Sequence, residues 1–330
     1  MKIAKFLCAG LLALPCLAAG DTSVYPERPV TLIVPFAAGG PTDLAARLLG
    51  ERLATSLGQP FVVQNRAGAT GLIGQTQVMR AKPDGYTLLI ATNSSHILAP
   101  LSQSKMPYDP VEDFAPISLL GQYPLVLNVY PKVPANNVEE LVSLAKAQPG
   151  KLNFGSVGTG SVIHMTGEQF KNKAGLDILH IPYNGTPPMT TALMAGEIEM
   201  HFNSISNTKP LVDDGRVRAL AVTGNKRAPL LPDVPTLAEV GMDGVDAQVW
   251  LGALAPKGTP EPILEKLGRE LEKLGREISE ILDNDAALRK VFHDNGFEIV
   301  ASDGPTFAAR ISQEQTQWKE LMSSIEEQDL

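Results

Sequence analysis

Two glycine-rich turns carry the residues best suited to hold a ligand. The first reads Pro-Phe-Ala-Ala-Gly-Gly-Pro-Thr-Asp at 35–43, and the second reads Gly-Ser-Val-Gly-Thr-Gly-Ser at 155–161. Each turn follows a hydrophobic run and precedes a helical pattern, so backbone N–H groups and the positive end of a helix dipole converge there and favour an anion. Because about 120 residues separate the turns, roughly the length of one domain, each can serve a different lobe and hold a carboxylate between them.

A serine and a histidine three residues apart raise the alternative of acyl-transfer chemistry. Ser161 and His164 can be drawn as a nucleophile and its base, which would make the protein a hydrolase of carboxylate esters. The sequence contains no Gly-x-Ser-x-Gly elbow, Walker A loop or His-Glu-x-x-His motif. Ser161 also suits the cap of a helix, with His164 one turn in. We therefore expect binding without catalysis: the protein is not an enzyme and needs no cofactor.

Histidine spacing gives no support to a metal site. The five histidines lie at positions 96, 164, 180, 201 and 293, and no two of them are three or four residues apart. Ligands at those spacings share one helix face, so a metal would have to be held by residues from distant parts of the chain. We expect no metal.

The first twenty residues have the layout of a secretory signal peptide. Lys2 and Lys5 precede an apolar run at 6–17 that is too short to span a membrane permanently, and small residues at 18–20 follow it. Both cysteines of the chain lie inside this segment, so the exported protein would form no disulfide. We predict that residues 1–20 are removed and that the protein is periplasmic.

Composition and charge narrow the choice of partner. The chain is 44% hydrophobic and 19% charged, as is ordinary for a globular protein. Its net charge of −8 becomes −10 once Lys2 and Lys5 leave with the signal peptide. Because nucleic-acid binding needs a basic face, nucleic acid is excluded as a partner. The same acidity repels anions at long range, so an anionic ligand must be held by short-range hydrogen bonds.

We expect the protein to be a monomer.

Alternating patterns predict an α/β fold with two mainly parallel sheets. Predicted strands at 30–34, 60–64 and 86–91 enclose helices that begin near residue 41 and at 72. The pattern restarts after Pro124. There, strands are predicted at 125–129, 152–154, 178–181, 198–202 and 217–222, with helices at 138–147, 161–174 and 189–195.

The C-terminal part of the sequence predicts a return to the first lobe. A loop at 224–244 leads to a strand at 248–254, and the rest is mostly helical, which is too little to form a domain alone. The chain would then cross between lobes near 121–127 and again near 245–252, and a double crossing is a hinge. The predicted division is a signal peptide at 1–20, lobe 1 at 21–124 and 248–330, and lobe 2 at 125–247.

Several motifs, in this order, carry a resemblance to a known family. They lie at 25–30, 34–43, 65–71, 83–87, 158–164, 181–185 and 217–223. They include Val-Pro-Phe-Ala-Ala-Gly-Gly-x-x-Asp, Pro-Asp-Gly-Tyr-Thr, Gly-x-Gly-Ser-x-x-His and Ile-Pro-Tyr-x-Gly. From about Tyr25 onward the chain resembles the substrate-binding proteins of the tripartite tricarboxylate transporter family, also called Bug receptors.

The resemblance implies a two-lobe receptor like the type II periplasmic binding proteins. Such a receptor closes on a small carboxylate and delivers it to the membrane subunits of a secondary transporter, and a sensor with the same cleft is an alternative role. The two turns would hold the ligand, with the wall completed by other residues from both lobes. The residues implied in the turns are Ala38, Gly39, Pro41, Thr42, Asp43, Gly158, Thr159, Gly160 and Ser161, and those in the wall are Thr92, Asn93, His164, Tyr183 and Asn203.

Two of these positions leave a choice open. Asp43 lies in the first turn of a helix, where it would either contact the ligand or only cap the helix. Asn203 departs from the family pattern, because many relatives have aspartate there and this chain has an uncharged amide. Losing that carboxylate removes the obvious partner of an ammonium group. We therefore expect a carboxylate ligand that carries no ammonium group.

Overall fold

The computed structural model describes residues 25–183, 185–281, 292 and 296–328, and the predicted signal peptide at 1–20 lies outside them. The strands are β1 (Val30–Val34), β2 (Phe61–Asn65), β3 (Thr87–Thr92), β4 (Phe114–Val129), β5 (Asn153–Ser156), β6 (Leu179–Pro182), β7 (Met200–Ser204), β8 (Arg218–Val222), β9 (Gln248–Pro256) and β10 (Glu298–Ile299). The helices are α1 (Pro41–Leu57), α2 (Leu72–Met79), α3 (Ala99–Leu101), α4 (Val138–Ala147), α5 (Val162–Ala174), α6 (Thr186–Ala195), α7 (Ile205–Asp213), α8 (Glu261–Ile281) and α9 (Gly304–Gln328). Within these described ranges, no helix is long and apolar enough to cross a membrane.

Two sheets share the long strand β4. The first sheet has the order β2-β1-β3-β9-β4, with β10 on the far side of β4, and the second has β6-β5-β7-β4-β8. The chain passes from one to the other between Pro124, which pairs with β9, and Leu125, which pairs with β7. It returns to the first sheet at β9.

Among the strands that the structure describes, parallel pairs occur only where neither partner is β4 or β9. Strand β1 pairs parallel with β2 and β3, and β5 pairs parallel with β6 and β7. Every pair that includes β4 or β9 is antiparallel. Each sheet is therefore mixed, because a strand that leaves one lobe and a strand that returns to it run in opposite directions side by side.

Strand β4 is the largest departure from the predicted elements. A strand is predicted only at 125–129, whereas β4 is continuous over 16 residues. Pro116 and Pro124 lie inside it, and proline in a sequence argues against a continuous strand because it has no N–H to donate to the ladder. The structure accommodates Pro116 at a shift in the register between β4 and β9.

The apolar core continues from one sheet into the other. Strands β1 and β3 are buried on both faces over most of their length, as the consecutive apolar residues at 32–34 and 88–91 indicate. Helix α9 buries the face that carries Phe307, Ile311 and Trp318, and these side chains belong to the same cluster as Phe154 and Phe202 of the second sheet. The C-terminal helix thus packs across the junction.

One carboxylate ties helix α9 to the strands at that junction. Glu314 accepts hydrogen bonds from Nε1 of Trp250 on β9 at 2.9 Å and from Nδ2 of Asn93 after β3 at 3.4 Å. It also pairs with Nε of Arg310 at 2.7 Å, whose Nη1 donates to Oε1 of Gln122 on β4 at 2.7 Å. The Arg310–Glu314 ion pair of α9 therefore connects to β4 and β9 and to the end of β3.

We expect Glu314→Ala to lower the free energy of unfolding by about 3 kcal/mol, because an indole N–H and a guanidinium lose their acceptor. Urea unfolding followed by circular dichroism measures the change. Glu320→Ala, an exposed glutamate of the same helix, is the control and should alter stability by less than about 0.5 kcal/mol. Equal effects of the two substitutions would contradict a bracing role for Glu314.

Candidate functional site

A cavity of about 300 Å³ lies between the two sheets. Both sheets and both strands at the junction contribute to its wall. No Asp, Glu, Lys, Arg or His is present among the described residues that line it. The lining residues are Phe36, Thr42, Thr92, Ser94, Tyr123, Leu125, Val157, Ser161, Val162, Ile163, Thr186, Asn203, Ser204, Asn207, Val249 and Phe297.

Four helices begin at this cavity. Thr42 lies in the first turn of α1, Ser161 is the N-cap of α5, Thr186 opens α6 and Ser204 is the N-cap of α7. The first N–H groups of a helix have no carbonyl partner within it, and they carry the positive end of the helix dipole. An uncharged cavity surrounded by such ends favours a negative group.

The Asp43 carboxylate stabilises the first turn by accepting hydrogen bonds. Its carboxylate accepts from the N–H of Gly39 at 2.8 Å, from Nε of Arg47 at 3.0 Å and from Nδ2 of Asn65 at 2.9 Å. Gly39 has a φ of +86°, a left-handed conformation that favours glycine. Burial opposes the charge, but the hydrogen bonds from Arg47, Gly39 and Asn65 hold the pKa of Asp43 below its usual range. These contacts favour the alternative in which Asp43 only caps the helix over a direct contact with the ligand.

The second turn is closed by its own hydrogen bonds. Ser161 Oγ donates to the carbonyl of Gly158 at 2.7 Å and accepts the N–H of His164 at 3.2 Å. The N–H of Gly158 bonds to Ser156 Oγ at 3.1 Å, and the N–H of Gly160 bonds to Nδ1 of His164 at 3.1 Å. The glycines thus build the turn, and Ser161 and the first two residues of α5, Val162 and Ile163, line the cavity.

The structure brings only some of the predicted site residues to the cavity. Thr42, Thr92, Ser161 and Asn203 line it. Ala38, Gly39, Pro41, Asp43 and Gly158 lie in the two turns but outside its lining. Thr159, Gly160 and His164 face a separate cavity of about 900 Å³ that is lined also by α9. Asn93 faces a third cavity behind β9, and Tyr183 packs beside Met189 and Ile198.

Several lining residues were not predicted. Ser204 and Asn207 follow Asn203 at the carboxyl end of β7, and Thr186 follows the Ile-Pro-Tyr-x-Gly motif at a helix start, so local signals for these three exist in the sequence. Tyr123 and Phe297 give no local signal. They reach the cavity only because β4 and β10 pair at the junction.

The geometry does not support a Ser161 and His164 hydrolase pair. Nδ1 of His164 accepts from the backbone of Gly160, its Nε2 lies 3.7 Å from Oε1 of Glu168, and its ring lies 3.9 Å from the ring of His180. Burial and, to a smaller extent, the charge of Lys171 lower the pKa of His164 to about 4. The imidazole is therefore not placed to take a proton from Ser161.

We expect Asp43→Asn to lower the unfolding free energy at pH 7 by about 1 to 2 kcal/mol, since an amide accepts more weakly than a carboxylate. Because the folded-state pKa of Asp43 is depressed, its contribution is complete above the ordinary carboxyl pKa and is lost as the pH falls through the lower folded value. Urea titrations from pH 7 to pH 3 should show a smaller loss for the variant. Asp213→Asn, at an exposed pair with Lys209, is the control; a wild-type pH profile in Asp43→Asn would contradict the assignment.

Comparison with known proteins gives consistent matches over most of the chain. The family model described as the tripartite tricarboxylate transporter family receptor matches residues 45–327. A solved structure of the periplasmic binding protein BugD is 36% identical, covers 91% of this chain and 98% of its own, and has a TM-score of 0.73.

Two further solved structures contain dicarboxylates. A protein of R. palustris with adipate is 34% identical, covers 91% of this chain and 97% of its own, and has a TM-score of 0.76. MatC from Rhodopseudomonas palustris with bound malate is 32% identical, covers 90% of this chain and 99% of its own, and has a TM-score of 0.73. These similarities confirm the α/β, two-lobe architecture like that of type II periplasmic binding proteins.

Proposed function

The chain belongs to the tripartite tricarboxylate transporter family of solute-binding receptors, and we propose that it binds a small dicarboxylate in the cavity between its lobes. The observation that carries this proposal is the meeting of four helix N-termini around a cavity whose described lining has no charged side chain. Delivery to the membrane subunits of a tripartite tricarboxylate-type transporter completes the proposed role.

Helix ends suit an acidic protein that must bind an anion. At a net charge of −8 the chain as a whole repels anions. A single helix N-terminus stabilises a nearby negative group by about 0.3 to 1 kcal/mol, and by up to about 2 kcal/mol when partly buried. These contributions act only within the cavity, because the field of a helix end falls off within about one turn. The ligand is thus recognised after it enters.

Two features favour a dicarboxylate. Helix α1 approaches the cavity from the first sheet, and α5, α6 and α7 approach from the second, so negative groups can be held at both ends of one molecule. The volume of about 300 Å³ is at the lower limit of ligand cavities. Adipate and malate, which two relatives hold, are dicarboxylates of six and four carbons. We propose the same range here.

The location and lobe boundaries form part of the proposal. A periplasmic protein released from a signal peptide at 1–20 suits a receptor of this family. Lobe 1 then comprises 21–124 and 248–330, and lobe 2 comprises 125–247, which agrees with the passage of β4 between the sheets at Pro124 and Leu125. We propose that the receptor acts as a monomer.

We expect Ser161→Ala to weaken succinate or adipate binding about fivefold to a hundredfold, because the hydroxyl both lines the cavity and holds the turn. Removal of the helix cap should also lower stability by about 0.5 to 2 kcal/mol. Isothermal titration calorimetry and thermal unfolding measure the two effects.

Asn137→Ala separates these effects. Asn137 caps α4 by accepting the N–H of Glu140 at 2.8 Å, and it is exposed and outside the cavity lining. It should lose similar stability and keep full affinity. Wild-type affinity in Ser161→Ala would show that this hydroxyl has no part in binding.

We expect succinate to bind more tightly than aspartate, and glutarate more tightly than glutamate. An ammonium group in the closed cavity has no carboxylate to offset its desolvation among the described lining residues. Asn203→Asp should weaken dicarboxylate binding at least about tenfold by placing like charges together. Asn203→Ser, which stays neutral, is the matched control and should lose less. Calorimetry on these pairs is decisive, and tighter binding of the amino acids would refute the assignment.

A further inference from the structure

His180 of β6 lies beside the second turn but outside the lining of the proposed dicarboxylate site. In the parallel ladder it is opposite Phe154 of β5, two residues before Ser156 at the end of that strand. Its ring lies 5.0 Å from the ring of Phe154 and 3.9 Å from the ring of His164. Its Nε2 lies 2.7 Å from Oγ of Ser156, so the imidazole is held at three points.

The proton in the hydrogen bond between Ser156 and His180 belongs to the serine. Ser156 Oγ has one proton, and two acceptors are within its reach: Nε2 of His180 at 2.7 Å and the carbonyl oxygen of Gly158 at 3.1 Å. That carbonyl already accepts the N–H of Ser161 at 3.2 Å and its Oγ at 2.7 Å, which uses both lone pairs. Ser156 therefore donates to His180.

An imidazole that accepts a hydrogen bond must be neutral, and the surroundings of His180 keep it so. Burial and, to a smaller extent, the charges of His164 and Lys171 lower the pKa of His180 to about 3. His164 meets the same requirement on the other side of the turn, where its Nδ1 accepts the N–H of Gly160 at 3.1 Å. Two neutral histidines thus accept hydrogen bonds from opposite sides of the second turn.

A chain of hydrogen bonds leads from His180 to the cavity between the sheets. Because the proton of Ser156 Oγ is directed to His180, its lone pairs are free to accept the N–H of Gly158 at 3.1 Å. Holding this N–H restricts the direction of the Gly158 carbonyl. That carbonyl in turn orients the hydroxyl of Ser161, which caps α5 and lines the cavity.

We propose that His180 is a positioning residue for the dicarboxylate site, and that it acts through Ser156 to keep the second turn in its binding conformation. This inference rests on the proposed function, because it concerns the same cavity. His180 itself faces the separate cavity of about 900 Å³ and does not contact the ligand. Its contribution is to order the turn before binding, which lowers the ordering cost of the complex.

Two substitutions separate the hydrogen bond from the packing of the ring. His180→Phe keeps an aromatic ring and removes the acceptor, whereas His180→Gln removes the ring and places an amide oxygen near the position of Nε2. Isothermal titration calorimetry should show succinate and adipate binding weakened about fivefold or more in His180→Phe, and within about twofold of wild type in His180→Gln. Leu179→Gln, at the exposed neighbour on β6, is the control and should bind as wild type does. Thermal unfolding confirms that each variant is folded.

A double-mutant cycle tests the route through Ser156. Ser156→Ala should weaken succinate binding at least as much as His180→Phe does. Adding His180→Phe to Ser156→Ala should cause no further loss, because the hydrogen bond between the two side chains is already absent. Fully additive losses would show that His180 acts without Ser156 and would overturn the proposal.

Amide hydrogen exchange provides a readout that needs no ligand. Nuclear magnetic resonance on isotopically labelled glycine should show the Gly158 amide exchanging about fivefold or more faster in His180→Phe than in wild type, and near the wild-type rate in His180→Gln. A wild-type protein that binds neither succinate nor adipate would refute the proposed function, and exchange at Gly158 would still decide the role of His180. Unchanged affinity and exchange in His180→Phe, or equal losses in His180→Phe and His180→Gln, would overturn that role.

Discussion

The pairing of β4 with strands of both sheets is the constraint on which the rest of the structure depends. Its first part forms a ladder with β9 and its last part with β7 and β8, so neither sheet is complete without it. The ladder sets where the carboxyl ends of β1, β5 and β7 lie relative to one another, and the helices that follow these strands begin at the same cavity. The proposed ligand site thus depends on the register of these strands.

The protein repels an anion at long range and attracts it at short range. The net charge repels anions at a distance, whereas helix ends attract them within a few ångströms. The buried carboxylate of Asp43 belongs to the short range, yet it points into its own turn, where Arg47 and Asn65 surround it. Its charge therefore stabilises the shape of the turn. A fixed turn keeps the N–H groups in place before any ligand arrives, which limits the ordering cost of binding.

The sequence was sufficient to predict the elements that local patterns determine. It was insufficient to predict which side chains point toward the site. Strand 30–34 and helix 138–147 are observed as predicted, because burial on two faces and amphipathic spacing are local properties. Thr92 and Asn93 are neighbours in sequence, yet one lines the cavity between the sheets and the other lines the cavity behind β9. Neighbours at a strand end point to opposite sides, and a motif match carries no information on which side faces the ligand.

The contacts of Glu314 have an optical consequence. The chain contains two tryptophans, Trp250 on β9 and Trp318 on α9. Trp250 donates to the Glu314 carboxylate. Trp318 lies one turn after Glu314 on α9 and lines the cavity behind β9. Indole emission responds to nearby charge and hydration, so both intrinsic fluorophores lie where the two sheets join. A change in the angle between the sheets would alter the fluorescence of the unmodified protein without any attached dye.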